Sequence, residues 1–137
     1  MAETVYVVDA QPLVAFIKRE PLWERVRDAI KAAARGEITL RLTAVNAGEV
    51  IMAVERDLGA VAAHSTLESI QSWTEIVDVD LELGARAGWF KLRGGISYAD
   101  CFAAALAHRE SVPLLTGDRE FRRVEDVIEI VWLDSFG

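Results

Sequence analysis

Cysteine is nearly absent from this sequence: Cys101 is the one thiol in 137 residues, which excludes an internal disulfide framework and a metal site built on clustered thiolates. Glycine and proline are also scarce, at nine and three, and there is no repeat or biased tract, so a disordered chain is excluded. Every apolar run falls far short of the about 18 residues that cross a bilayer. No basic-then-apolar leader opens the chain, and the expectation is a cytoplasmic protein without membrane attachment. Histidine occurs only as His64 and His108. Both read as ordinary helix residues without a motif partner, which leaves no histidine-based nucleophile. No glycine-rich phosphate loop follows the first apolar run, and the Rossmann reading falls with it. Positive charge is short overall, with a net charge of -7, which argues against a surface that grips nucleic acid all round.

What is present is a core. Hydrophobic residues make up 52% of the chain, enough for one domain over 1–137. Thr4-Val5-Tyr6-Val7-Val8 reads as a buried strand that stops abruptly on Asp9. Pro12 suits the first position of a helix over 13–18. Leu22, Val26, Ala29, Ile30 and Ala33 recur at helical spacing up to Gly36, which stops that run. Ile38-Thr39-Leu40-Arg41-Leu42 alternates with period two, as an edge or near-edge strand does. Helices over about 43–57 and 60–72, a strand at 75–78 and a helix over 80–90 follow. A loop at 91–95, an alanine-rich helix over 97–109, and strands at 112–115 and 127–132 complete the pattern. Five strands separated mostly by helices read as a three-layer α/β domain with a largely parallel sheet.

The carboxyl ends of parallel strands are where such folds bind ligands, and acids stand there. Asp9 follows the first strand and Asp118 follows the strand at 112–115. Asp100 opens the alanine-rich helix, and Glu49 lies in the second turn of the helix begun at Thr43. Each has an ordinary explanation: Asp9 and Asp118 suit turns or helix caps, and Ser97 with Asp100 forms a capping-box spacing. Together they have another. Carboxylates brought to one sheet edge repel one another and must take up protons or a cation. All-oxygen ligands favour Mg²⁺ or Mn²⁺ over zinc. Such ions activate water for in-line attack at phosphorus.

Val7-Val8-Asp9, Ala47-Gly48-Glu49-Val50, Ser97-Tyr98-Ala99-Asp100 and Leu115-Thr116-Gly117-Asp118-Arg119-Glu120-Phe121 occur in order along the chain. On these stretches, over practically its whole length, the sequence resembles PIN-domain ribonucleases, specifically the small toxin of VapBC-type toxin–antitoxin pairs. The resemblance implies a Mg²⁺-dependent endoribonuclease, a hydrolase of phosphodiester bonds that leaves a 5′-phosphate and a 3′-hydroxyl. Asp9, Glu49, Asp100 and Asp118 match the acidic quartet, and Thr116 matches the hydroxyl residue beside the last acid. It further implies an RNA substrate (tRNA, rRNA or mRNA), a homodimer, and inhibition by a small VapB-like antitoxin that covers the acids. Operator DNA would be bound by the antitoxin, not by this chain alone. The sequence departs from the family at Gln11, where Ser or Thr is usual, and at Pro12. The Gln11 amide retains the ability to bond to a carboxylate or phosphate.

Aspartyl-nucleophile phosphatases need a second Asp two residues beyond Asp9, where Gln11 stands. Receiver domains need paired acids at the first strand and a late lysine, which are absent. The remaining alternative is a PIN-like module, catalytically weak or inactive, that binds RNA or protein. Two surface expectations accompany the main reading. The segment 18–41 carries seven basic and four acidic residues, a local +3 that leaves -10 elsewhere, and would form a basic rim around the acids. Trp89-Phe90 would face a partner, with core packing the default for Trp23, Trp73 and Trp132.

Overall fold

A computed structural model describes residues 4–137. The strands are β1 (Thr4–Val8), β2 (Ile38–Thr43), β3 (Glu75–Val77), β4 (Leu114–Thr116) and β5 (Ile130–Trp132). The helices are α1 (Ala10–Lys18), α2 (Trp23–Ala34), α3 (Ala44–Leu58), α4 (Ala60–Trp73), α5 (Leu81–Arg93) and α6 (Tyr98–Glu110). A 3₁₀ helix, Arg119–Val124, follows β4, and a second, Leu133–Ser135, follows β5.

All pairings are parallel, in the order β3-β2-β1-β4-β5. β2 is therefore next to an edge, as its alternation implied. β1 is central and fully covered, so Val7 and Val8 are both buried but on opposite faces. Val7 and Leu114 pack with Phe90 and the small residues of α6; Val8, Leu40, Leu42 and Leu115 pack with residues of α1 to α4. Asp100 to Ala107 are all buried, because short side chains let α6 lie wedged among the sheet, α3 and α5. The chain leaves β1 toward β2 on one side and returns as β4 on the other. In open α/β sheets the carboxyl ends of strands that diverge in this way are where ligands bind.

Several boundaries differ from the sequence reading. α1 begins at Ala10, so Pro12 occupies its third position, still within the turn whose amides lack intrahelical partners. α5 continues to Arg93, and the loop shrinks to 94–97, with Gly94 at φ +81° and Gly95 at φ +93°. β5 starts at Ile130 instead of residue 127. Phe90 is core, fully buried, while Trp89 beside it is 46% exposed, so the two do not form one outward pair.

The basic stretch does not rim the acids. Arg35 precedes β2 and so belongs to the amino-terminal edge of the sheet, away from Asp9. Lys18 pairs with Glu20 and Asp57, Arg27 with Asp28, Arg35 with Glu37, and Arg41 with Glu75 and Glu110. Arg19 lies over the rings of Phe16 and Trp23, and Arg25 donates to the Phe136 carbonyl.

Candidate metal centre

β1 delivers Asp9 to this end of the sheet. Asp9 precedes α1 in the N-cap position, with φ -93° and ψ -172°, yet its side chain makes no cap hydrogen bond. The carboxylate is 1% exposed, and Oδ1 is buried without a hydrogen-bond partner. An orphaned buried carboxylate oxygen is costly and calls for a cation or a proton. The ladder pairs Val8 with Leu115, so the next rung sets Asp9 beside Thr116. The buried Thr116 hydroxyl faces the Asp9 carboxylate and favours its ionised form. Its oxygen also accepts the Asp118 amide at 3.0 Å. Asp118 in turn accepts the Glu120 amide at 3.0 Å through Oδ1 and caps the 3₁₀ helix.

Asp100 arrives from the first turn of α6. Ser97 caps that helix by accepting the Asp100 amide at 3.1 Å, and its hydroxyl favours the ionised form of the Asp100 carboxyl. Capping and clustering thus coexist at both: Asp100 takes part in its cap through the backbone amide, which leaves its carboxylate to the cluster, and Asp118 caps with one of several acceptor sites. Asp9, Asp100 and Asp118 each place a carboxylate oxygen within 4.8 Å of the others.

Glu49 stands outside that group of three. Its Oε1 accepts from Asn46 Nδ2 at 3.0 Å, and its charge still acts on Asp100. Asn46 is fully buried and completely satisfied. It accepts the Thr43 hydroxyl at 2.6 Å, and its Nδ2 also donates to the Ala99 carbonyl at 3.1 Å, which ties the start of α3 to the start of α6. Asn46 lies three residues before Glu49, on the same side of α3, and the local sequence carries no signal of these long-range bonds. The Gln11 amide, expected to bond to a carboxylate or phosphate, has a backbone partner. Its Oε1 instead accepts the Gly117 amide at 2.8 Å.

The electrostatics follow from this crowding. Burial raises the Asp9 carboxyl well above its usual range; the Thr116 hydroxyl opposes this, and the charges of Asp100 and Asp118 add to it. Asp100 is raised to about 6, first by burial and then by Asp118. No lysine or arginine among the described residues forms an ion pair with any of the three. A hard divalent cation would supply the missing positive charge, and three carboxylates without thiolate or imidazole suit Mg²⁺ or Mn²⁺ in donor type.

The PIN domain model matches residues 6–127. The chain belongs to the PIN domain family. Its fold is also close to solved toxin–antitoxin structures. VapBC from Salmonella typhimurium, determined with DNA, superposes with a TM-score of 0.76 at 20% identity over 96% of this chain and 99% of that one. VapBC2 from Rickettsia felis, bound to a fragment of its promoter, gives 0.74 at 19% identity over 94% and 98%. Mycobacterium tuberculosis VapC20, a toxin that cleaves the sarcin–ricin loop, gives 0.67 at 14% identity over 81% and 87%. A search of curated protein sequences finds no match. Within this PIN domain the acids converge where the strand order diverges, at the crevice general to open α/β sheets. No helix among the described residues is long and apolar enough to cross a membrane.

Proposed function

We propose that this PIN-domain protein is a Mg²⁺-dependent endoribonuclease toxin, held inactive by a cognate antitoxin. The observation that carries the reading is the unpartnered, buried Asp9 Oδ1 beside two further carboxylates. Asp9, Asp100 and Asp118 would hold the cation, with Glu49 acting beside them. When bound, a divalent ion lowers the pKa of water and offsets negative charge at the scissile phosphate.

The chain's own residues prepare that chemistry. Asn46 aims Glu49, whose carboxylate is half-exposed beside the cluster and placed to take a proton from an attacking water. Thr116 orients Asp9 and the Asp118 backbone together. The cleavage is written as attack of water at phosphorus with loss of the ribose 3′-oxygen, giving a 5′-phosphate and a 3′-hydroxyl. Single-stranded or looped RNA is the substrate class, whether in tRNA, rRNA or mRNA. Exposed bases and shape, which the acids do not read, would set the site.

An apolar groove of about 500 Å³ between α3 and α4, lined by Ala47, Ile51, Leu67, Ile70 and Ile76, includes Gly48 immediately before Glu49. An apolar antitoxin segment lying there would run past Gly48, the neighbour of Glu49 in α3, which supports an antitoxin docked beside the acids. Leu81, Trp89 and Leu92 lie exposed along α5 and support a homodimer through that helix. DNA binding is assigned to the antitoxin.

The experiment is cleavage of a labelled looped RNA by the purified protein in EDTA, then after addition of Mg²⁺ or Mn²⁺. Activity only with metal, and a 5′-phosphate on the product, is the expected outcome. Robust cleavage in chelator sinks the metal-dependent mechanism. RNA binding without cleavage under any metal would return the protein to an inactive binding module.

A further inference from the structure

The turn that carries Asp118 is held by three side-chain oxygens. Gln11 Oε1 takes the Gly117 amide at 2.8 Å, Thr116 Oγ1 takes the Asp118 amide at 3.0 Å, and Asp118 Oδ1 takes the Glu120 amide at 3.0 Å. Thr116 and Asp118 are local to the turn; Gln11 alone comes from another element, the first turn of α1. The parallel ladder explains why a side chain is needed. β1 pairs with β4 through Val8 and Leu115, and the chain then coils into α1 at Ala10. No strand backbone remains beside Gly117 to receive its amide, and Gln11 supplies a substitute rung.

That rung opposes a definite force. Asp9, Asp100 and Asp118 each hold a carboxylate oxygen within 4.8 Å of the others, so their charges repel, and Asp118 is carried by the turn that Gln11 ties down. We infer that Gln11 is a positioning residue of the acidic centre: by holding Gly117 it keeps Asp118 against Asp9 before any cation arrives. The inference rests on the cation-dependent reading above and adds to it the residue that preorganises the site.

Two details of the bond are specific. A Ser or Thr oxygen is two bonds nearer its Cα than Gln Oε1, so neither residue makes this contact from position 11. A Cβ on Gly117 would stand 2.8 Å from Gln11 Oε1 and 3.2 Å from Cδ and Nε2. Glycine there suits the glutamine, because a Cβ would make the Gln11 amide shift from this position.

The test is a double-mutant cycle on the full chain, with Mn²⁺ alone as the calorimetric probe and RNA cleavage as a second readout. Gln11→Met preserves length and removes the acceptor; Gln11→Ala removes the side chain; Gly117→Ala displaces it. Each is expected to weaken Mn²⁺ binding about tenfold and to lower kcat with little change in KM, the scale typical of groups that orient metal ligands. Exchange of the Gly117 amide in metal-free protein should quicken in Gln11→Met. The Gln11→Ala/Gly117→Ala pair should be no worse than either single change, because all three lose one contact. Parental Mn²⁺ affinity in Gln11→Met, or additive losses in the pair, overturns the positioning role while leaving the nuclease reading intact. A parent that neither binds Mn²⁺ nor cleaves RNA overturns both.

Discussion

Asp9 and Asp100, one at the end of the central strand and the other at the start of the most buried helix, bring carboxylate oxygens within 4.8 Å of each other. The Asp100 charge makes an ionised Asp9 less favourable, and Asp118 acts in the same sense on both. Asp100→Asn removes that repulsion and keeps an oxygen toward Ser97. Without metal the variant should be more stable than the parent by about 1–2 kcal/mol at pH 7. With Mg²⁺ the order should reverse, since the parent alone gains strongly from ligand that binds the folded state. Thermal melts with and without Mg²⁺ check this, and cleavage should drop by orders of magnitude.

Proton linkage gives a second prediction. The folded protein holds protons on Asp9 and Asp100 that the unfolded chain releases near pH 4. Both folded values are raised, so their contribution to stability is complete below about pH 4; the Asp100 share is lost as pH rises through about 6, and the Asp9 share as pH rises through its own raised value. The exposed Asp57, lowered by Arg56 and Lys18, works in the opposite sense as pH falls. Subtracting the melting profile of Asp9→Asn/Asp100→Asn from that of the parent isolates the two acids. Mn²⁺ affinity should rise with pH over the same window, because binding must expel those protons.

Thr116 serves two masters, and the conservative pair of substitutions separates chemistry from shape. Thr116→Ser keeps a donor for Asp9 and an acceptor for the Asp118 amide. Thr116→Val keeps the volume and loses both, leaving buried groups unsatisfied at about 1–3 kcal/mol. Valine should lower Tm and weaken Mn²⁺ binding; serine should stay near the parent in both measurements.

Asn46 is predicted to matter as much as an acid. Asn46→Ala opens a cavity and frees Thr43, Glu49 and the Ala99 carbonyl at once. We expect a loss of about 2–3 kcal/mol in denaturant unfolding, together with slower cleavage at unchanged Mn²⁺ stoichiometry. Wild-type turnover in a stably folded Asn46→Ala protein would leave Glu49 with no need of its tether.

Much of this was legible from residue order. An apolar run stopped by a carboxylate located β1 and Asp9, and period-two alternation placed β2 near an edge. The end of α5 was misjudged because Lys91-Leu92-Arg93 carry charge that looks loop-like, although all three are good helix formers and the true stop is Gly94. Leu83, Ala87 and Phe90 recur at helical spacing and are all buried. That register puts Phe90 inside and turns Trp89 out, a reading that charge and aromatic content alone obscure. Counting bases in 18–41 gave the sign of the segment but not the partners, since Asp57, Glu75 and Glu110 come from elsewhere. The Gln11 to Gly117 bond joins distant parts of the chain, so no local pattern announces it.

The strand order has a consequence for synthesis. β1 is made first but finds its neighbour β4 only after residue 114 has appeared, and Asp118 comes later still. Pairing between such remote segments is intrinsically late, and domains complete their folding as the chain emerges. A ribosome-bound chain that ends before Asp118 carries Asp9, Glu49 and Asp100 without the turn that completes the cluster. A half-made copy of the protein therefore presents three of the acids without an assembled centre.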